Sequence, residues 1–263
     1  KVYDLVKAGA LGKIITLDLL ESVGVGLQTH CFVRGDWGNE ERTTFMLMAK
    51  SCHDIDYLAF LAQAPCRRVA SFGALTYYRR EHAPAGSPER CTDGCPVEAT
   101  CPYSAYKYYV HTPNRSSMVS PDPSRAAHLK AIKEGPFGRC IFKCDNNVVD
   151  HQVVILEFAE EITATFTMTA FGAGGRHLRV HGTEGMLFFN ENSIALLTFH
   201  DNNIMKIELK PEEGSHGGGD ERIVRKWLQA LHSRDASAIT TDAKESLRTH
   251  TIVFAAEKAR REK

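Results

Sequence analysis

The stretch DHQVVILEFAEEITATFTMTAF, Asp150 to Phe171, decides how the chain is read. Apolar and polar residues alternate through DHQVVILEF and again through ITATFTMTAF, the period-two pattern of strands that bury one face. The acidic AEE between them is short enough to be a hairpin turn. Downstream, RHLRVHG, GMLFFNE, SIALLTFHD and IMKIELKP continue the meander. Upstream, KIITLDLLESVGVG (Lys13–Gly26) reads as a strand after a tight turn. THCFVRGDW reads as a second strand running into a loop, and PCRRVASFGALTYY as a third.

Helices are set among these strands. VYDLVKAGALG reads as the last turns of a helix, closed by Gly9 and Gly12 and lacking its own N-cap, which suggests part of a longer protein. MLMAKSCHDIDYLAFLAQ (Met46–Gln63) is one helix. SRAAHLKAIKEG is a shorter one, with Ser124 as N-cap and Gly135 as stop. DERIVRKWLQALHS and DAKESLRTHTIVFAAEKARRE close the chain, the second opening on a capping-box pair, Asp242 and Glu245. The order predicts an α+β fold: a large, mostly antiparallel sheet with helices on one face and the other face open. An apolar open face is a candidate oligomer or domain interface.

The chain has 263 residues, 43% hydrophobic and 24% charged, with 32 basic and 32 acidic side chains. Such a balance offers no field for nucleic acid or an anionic membrane, and no apolar run is long enough to span a bilayer. KVYDLVKAGALGK is neither a signal nor a transit peptide, so a cytoplasmic protein is expected, with its eight cysteines as thiols or metal ligands.

Residues 81–127 change character: proline-rich and irregular, too long for an unstructured loop without a reason. Cys91, Cys95 and Cys101 are spaced C-x3-C-x5-C. Zinc takes four ligands, so these three are candidate metal ligands, with Cys140 or Cys144 as a distant fourth. A structural metal would hold the insert in shape; buried free thiols are the alternative.

In the long helix, Cys52, Ile55, Ala59 and Ala62 share one stripe, edged by Leu58 and Phe60. Lys50, His53, Asp54 and Tyr57 share another. A lysine cation beside a histidine suits proton transfer coupled to oxidation of a hydroxyl; a solvated first turn fits the same spacing. HCFVRGDW gathers His30, Arg34 and Trp37, a set able to hold a polyhydroxylated ligand, although Trp37 would equally plug a core. His151 alternates with Val153 and Ile155 and is read as a core histidine. GVG (Gly24–Gly26), GAGG (Gly172–Gly175) and HGGGD (His216–Asp220) do not spell G-x-G-x-x-G between a strand and a helix. HGGGD opens a helix, with Asp220 as N-cap or with amides open to an anion. No residue here is assigned to cofactor binding.

Taken in order, VKAGALGKIITLDL, HCFVRGDW, AKSCHDIDYLAFL, RVASFGALTYY, RCTDGCPVEATCPYSA, GRCIFKCDNNVVDHQVVILEF, TFTMTAF, LRVHGTEGML, SHGGGD and SLRTHTIVFAAEKAR resemble the C-terminal half of glucose–fructose oxidoreductase/inositol dehydrogenase (Gfo/Idh/MocA) oxidoreductases. The resemblance implies an N-terminal Rossmann domain, absent from this chain, that binds NAD or NADP. Residues 1–263 would be a single substrate-binding and oligomerisation domain that packs its sheet against a partner. The family's catalytic histidine lies in a D-x-x-x-H pattern with Asp three residues later. His53 and Asp56 match its end, but Ala49 stands where the first Asp would be, and Lys50, one residue on, can take the polar role. The family's E-K-P lysine has no counterpart here.

The expectation is therefore the substrate-side half of an NAD(P)-dependent oxidoreductase acting on a sugar, polyol or related alcohol. His53 and Lys50 would be catalytic, with His30, Arg34 and Trp37 on the substrate. The chain alone would be silent, because the cofactor carries the hydride. The competing expectation is a non-catalytic dimerisation or ligand-binding module with a zinc ion on its cysteines.

Overall fold

In the computed structural model all residues are described except 211–213, 215, 240 and 263. Pro211 of the IMKIELKP segment and Ser215 of SHGGGD lie outside the described residues. Helix α1 (Val2–Lys7) ends in two turns through Gly9 (φ 75°) and Gly12 (φ 67°), which reverse the chain into β1 (Ile14–Ser22). After α2 (Val25–Thr29) and α3 (Met46–Ala62) comes β2 (Cys66–Ala74). The insert holds one-turn helices, including α4 (Pro113–Ser116), and ends in α5 (Arg125–Glu134). Strands β3 (His151–Phe158), β4 (Thr163–Thr169), β5 (Gly175–Gly182), β6 (Gly185–Asn190), β7 (Ser193–Thr198) and β8 (Asn203–Glu208) follow. Helices α6 (Gly219–Ser233) and α7 (Ala243–Glu262) end the chain.

The eight strands form one sheet in the order β2-β3-β4-β1-β5-β6-β7-β8. Only β1 and β4 run parallel; every other pair is antiparallel. α3 lies across β1 and β4, while α7 packs on α3 and β2. The core between them takes Leu17, Leu19, Val154, Leu156, Phe166 and Leu178 from the sheet, with Ile55, Leu58, Val253 and Ala256 from the helices. Each such aliphatic side chain contributes about 1.5–3 kcal/mol by leaving water. The α+β architecture with an open-faced, mostly antiparallel sheet is thus as expected.

Particular elements differ. The expected second strand, THCFVRGDW, is helical: α2 continues into a wide turn at His30–Arg34, closed by Gly35 N donating to His30 O at 2.8 Å. The turn buries Phe32, Val33 and Arg34 in succession, which an alternating strand with one open face would not do. His151 is the second correction. The strand buries Gln152, Val154, Leu156 and Phe158, so His151 points to the open face with Val153 and Ile155, its ring bonded to Asp150 at 2.8 Å. The hairpin turn between β3 and β4 forms as read, with Glu160 and Glu161 at positive φ.

Ser124 caps α5 by accepting from Ala127 N at 3.2 Å. Asp242 likewise accepts from Glu245 N at 2.8 Å, although the Glu245 carboxylate turns to Arg248 instead of completing the box. Asp220 is not the N-cap of α6: Gly218, in the left-handed region, takes that place, and Asp220 bonds His216, which precedes the helix. Val224, Trp227, Leu228 and Leu231 of α6 are exposed. The open sheet face is mixed: Ile15, Phe72 and Ile155 stand out at 45%, 61% and 45% exposure, among threonines and the Asp18–Arg179 pair. Among the described residues no helix is long and apolar enough to cross a membrane.

Candidate active site

β1 and β5 pair so that Glu21 faces Arg176 in register, both on the core side, at the end of the sheet beneath α3. Two glycine-rich stretches make this end possible. Gly24 (φ 81°) approaches the GAGG loop so closely that a Cβ would sit 3.3 Å from the Gly174 backbone. Val25 N reaches Gly172 O at 3.3 Å, and Gly174 N reaches the Ser22 hydroxyl at 3.3 Å. GVG and GAGG thus serve close approach of two loops rather than a phosphate.

α3 supplies the other half. Asp54, 1% exposed, accepts from Arg176 Nε at 2.6 Å and from Nη2 at 3.4 Å. The same Nε lies 3.2 Å from Glu21 Oε2. Glu21, 3% exposed, takes a 2.6 Å bond from Lys50 Nζ on its other oxygen. Burial raises the Glu21 pKa against the pull of Lys50 and Arg176. Two buried carboxylates thereby face two cations, the arrangement that makes buried charge tolerable.

His53 stands at the exposed rim of this network. Arg176 Nη2 donates to its Nε2 at 2.7 Å. A guanidinium only donates, so the imidazole proton is assigned to Nδ1. Desolvation lowers the His53 pKa; Arg176 and Lys50 add to that, while Asp54 and Asp56 oppose it. The ring therefore favours its neutral form, the one that accepts a proton. Outside it lies a cavity of about 450 Å³ whose lining includes His53, Asp54, Tyr57, Phe60, Arg176 and Phe189. Its size suits a small ligand. Asp56 accepts from the Thr249 hydroxyl at 2.7 Å and so ties α3 to α7.

The structure brings Lys50 and His53 into one network and places His30, Arg34 and Trp37 elsewhere. None of those three lines the His53 cavity. His30 bonds the Tyr109 hydroxyl at 2.9 Å and stacks on Phe137, and burial followed by Arg34 lowers its pKa. Arg34 is only 1% exposed and gives its donors to the carbonyls of Arg139 and Tyr103. Trp37 is 48% exposed beside Phe32. Two network members were not singled out from sequence. Glu21 lies one residue before the end of β1, and Arg176 follows a glycine run, a weak signal of a loop brought close to something.

Among the described residues no three His, Cys, Asp or Glu side chains are arranged to hold a metal ion, and all eight cysteines are free. The zinc site expected from Cys91, Cys95 and Cys101 is corrected to that extent: these thiols line one small cavity together with Cys140 and two arginines.

The eight-stranded open sheet with helices on one face carries this buried charge network and half-exposed histidine at one end. The chain belongs to the GFO/IDH/MocA C-terminal domain family, whose model matches residues 1–188. Solved structures of the same fold include levoglucosan dehydrogenase in complex with NADH, 11% identical with a TM-score of 0.63, covering 99% of this chain and 60% of that one. The complex of that enzyme with NADH and L-sorbose is 12% identical, also at 0.63, with 99% and 60% covered. Aldose-aldose oxidoreductase from Caulobacter crescentus, complexed with glycerol, is 13% identical with a TM-score of 0.59, covering 99% and 57%. At such identities the likeness is one of fold. The chain spans 56–60% of the length of the structures it matches. No curated protein matches it significantly in sequence.

Proposed function

We propose that residues 1–263 are the substrate-binding and oligomerisation domain of an NAD(P)-dependent oxidoreductase acting on a sugar, polyol or related alcohol. The observation that carries this reading is the neutral His53, held by Arg176 at the mouth of a ligand-sized cavity and backed by Asp54, Glu21 and Lys50. A substrate hydroxyl entering there would displace Arg176 from Nε2 and give its proton to His53. Lys50 acts through Glu21, setting the charge beneath the site. The sugar-binding and NADH-bound neighbours of the same fold support the substrate class and the cofactor.

Gly24 of GVG is spent on close approach to Gly174 of GAGG, and neither stretch spells a dinucleotide fingerprint. The nicotinamide, when bound, supplies hydride exchange. Its nucleotide would be held by a Rossmann domain, and this chain by itself should bind neither NADH nor NADPH saturably. The open face, through Ile15, Phe72 and Ile155, would carry the homo-oligomer.

The test is His53→Gln in the protein that joins this domain to its nucleotide-binding domain. General acid–base catalysis is worth about 10²–10⁴ in rate, so kcat should fall by that order with KM little changed. Unchanged turnover would remove His53 from the mechanism. For assembly, Phe72→Asp with Ile155→Asp should yield monomers by light scattering; an unaltered oligomer would move the interface elsewhere.

A further inference from the structure

We propose that Tyr57 is a specificity-determining residue of the His53 cavity: its hydroxyl donates to a second substrate oxygen, on the carbon next to the one whose hydroxyl His53 serves. Resting on the function proposed above, Tyr57 narrows the substrate to an uncharged sugar or polyol with adjacent oxygens. A simple alcohol, a sugar acid and a sugar phosphate are all disfavoured.

Tyr57 stands four residues after His53 on α3, and both line the cavity of about 450 Å³. Side chains at i and i+4 share one face of a helix, with Cβ atoms about 5–6 Å apart. A long helical side chain also leans back toward the helix N-terminus, which carries the Tyr57 ring toward the imidazole. Two neighbouring oxygens of one molecule can then meet the two groups together.

Among the described residues the Tyr57 hydroxyl has no hydrogen-bond partner, and it is not closed off from solvent as the equally unpartnered Tyr78 hydroxyl is. Burial of the ring pushes its pKa up to about 12, so at neutral pH the phenol keeps its proton and donates. The charged groups of the wall, by contrast, are committed within the protein. Asp54 and Arg176 hold each other, Asp56 accepts from Thr249, and Glu245 accepts from Arg248. A fixed ring with an unspent hydroxyl is the kind of polar group that orients a ligand in a pocket.

Charge and shape narrow the substrate further. The wall carries three carboxylates, Asp54, Asp56 and Glu245, and one cation, Arg176. That cation is already shared between Asp54 and Glu21, with Glu191 a further 3.9 Å neighbour. A phosphate or carboxylate on the substrate would meet like charge, which costs affinity. Phe60 and Phe189 offer apolar surface to C–H groups, and Phe60 is braced by the Tyr3 ring stacked on it at 4.2 Å.

The experiment uses the protein that joins this domain to its nucleotide-binding domain, with levoglucosan, L-sorbose and myo-inositol as neutral probes. For the best of them, Tyr57→Phe should raise KM about 2- to 10-fold with kcat nearly unchanged, the loss of one neutral hydrogen bond. Given the analogue lacking the oxygen next to the oxidised carbon, wild type should lose the same factor and Tyr57→Phe nothing further. A ring merely displaced by the substitution would penalise both substrates equally. Wild type should also prefer the neutral probe to its phosphorylated or carboxylated counterpart. Equal kcat/KM for probe and deoxy analogue in the wild type overturns the proposal without any variant having to fold, as does preference for the anionic counterpart. Lost turnover in His53→Gln beside wild-type kinetics in Tyr57→Phe removes Tyr57 and leaves the proposed function standing. An inert His53→Gln substitution removes both.

Discussion

Arg176→Met keeps most of the side chain's apolar stem and removes the guanidinium on which the site's charge balance depends. Asp54, 1% exposed, would lose its 2.6 Å bond, and Glu21, 3% exposed, would lose a 3.2 Å ion pair but keep Lys50 at 2.6 Å. Stripping a buried carboxylate of its partner costs about 3–5 kcal/mol. The Arg176 side chain is itself 28% exposed, so water enters the vacancy and the lower end, about 3 kcal/mol, is expected. At roughly 2–4 °C per kcal/mol for a chain of this size, the melting point should drop by about 6–12 °C. Arg179→Met is the control on the same strand: its side chain is 58% exposed and 4.0 Å from Asp18, a pair worth at most about 1 kcal/mol. Thermal and urea unfolding followed by circular dichroism would measure both. In the Arg176 variant the His53 pKa, read by NMR titration, should also rise, because a repelling cation has gone while Asp54 remains. A loss of stability at Arg176 no greater than at Arg179 would refute the view that this network is buried and mutually dependent.

Three further outcomes are expected. His30 and His53 both have pKa values lowered below the ordinary imidazole value, so the unfolded chain protonates first and stability falls as pH drops below about 6.5. Glu21, raised, works in the opposite sense: its contribution is present in acid and lost as pH rises through its folded value. Glu21 is common to both proteins compared, so wild type should lose more stability between about pH 7.5 and 5.5 than a His30→Gln/His53→Gln variant, by urea midpoint; equal losses would contradict the assignment. Gly24→Ala forces a side chain to φ 81° against the Gly174 backbone at 3.3 Å, and should cost about 1–3 kcal/mol in urea unfolding, whereas a phosphate-binding role would leave stability unchanged. Ser124→Ala removes the bond to Ala127 N and should cost about 1 kcal/mol of global stability or show as faster amide exchange in α5; neither change would mean the cap is idle.

The sheet was legible because its strands bury one face each, and period-two alternation over β3 and β4 leaves little choice. Alternation does not say which of its two phases faces the helices. In β3 both sets are rich in apolar residues, and Gln152, fully buried, belongs to the phase that looks more polar at its start. Its amide nitrogen donates to the Ser71 hydroxyl of β2 at 3.0 Å, which satisfies half of the buried amide and leaves Oε1 without a partner. Sequence alternation therefore predicts the wrong side for His151, which lies on the open face. THCFVRGDW failed for a different reason: its β-favouring residues are outweighed by a site that buries Phe32, Val33 and Arg34 consecutively.

The candidate site divides the same way. Lys50, His53 and Asp54 sit on one turn of α3, where i, i+3 and i+4 spacing makes neighbours visible from sequence. Arg176 is 122 residues from Asp54, and its place depends on the register by which β5 sets it opposite Glu21. A one-residue slip in that pairing would turn Arg176 to the open face and leave Asp54 and Glu21 as buried carboxylates with Lys50 as their single cation. The register is held by the loops that meet at Gly24 and Gly174, both at positive φ, where a Cβ on Gly24 would press on the Gly174 backbone at 3.3 Å. The glycines that look like a nucleotide motif therefore act on the site indirectly: they fix where the strand ends, and so which charge stands beneath His53.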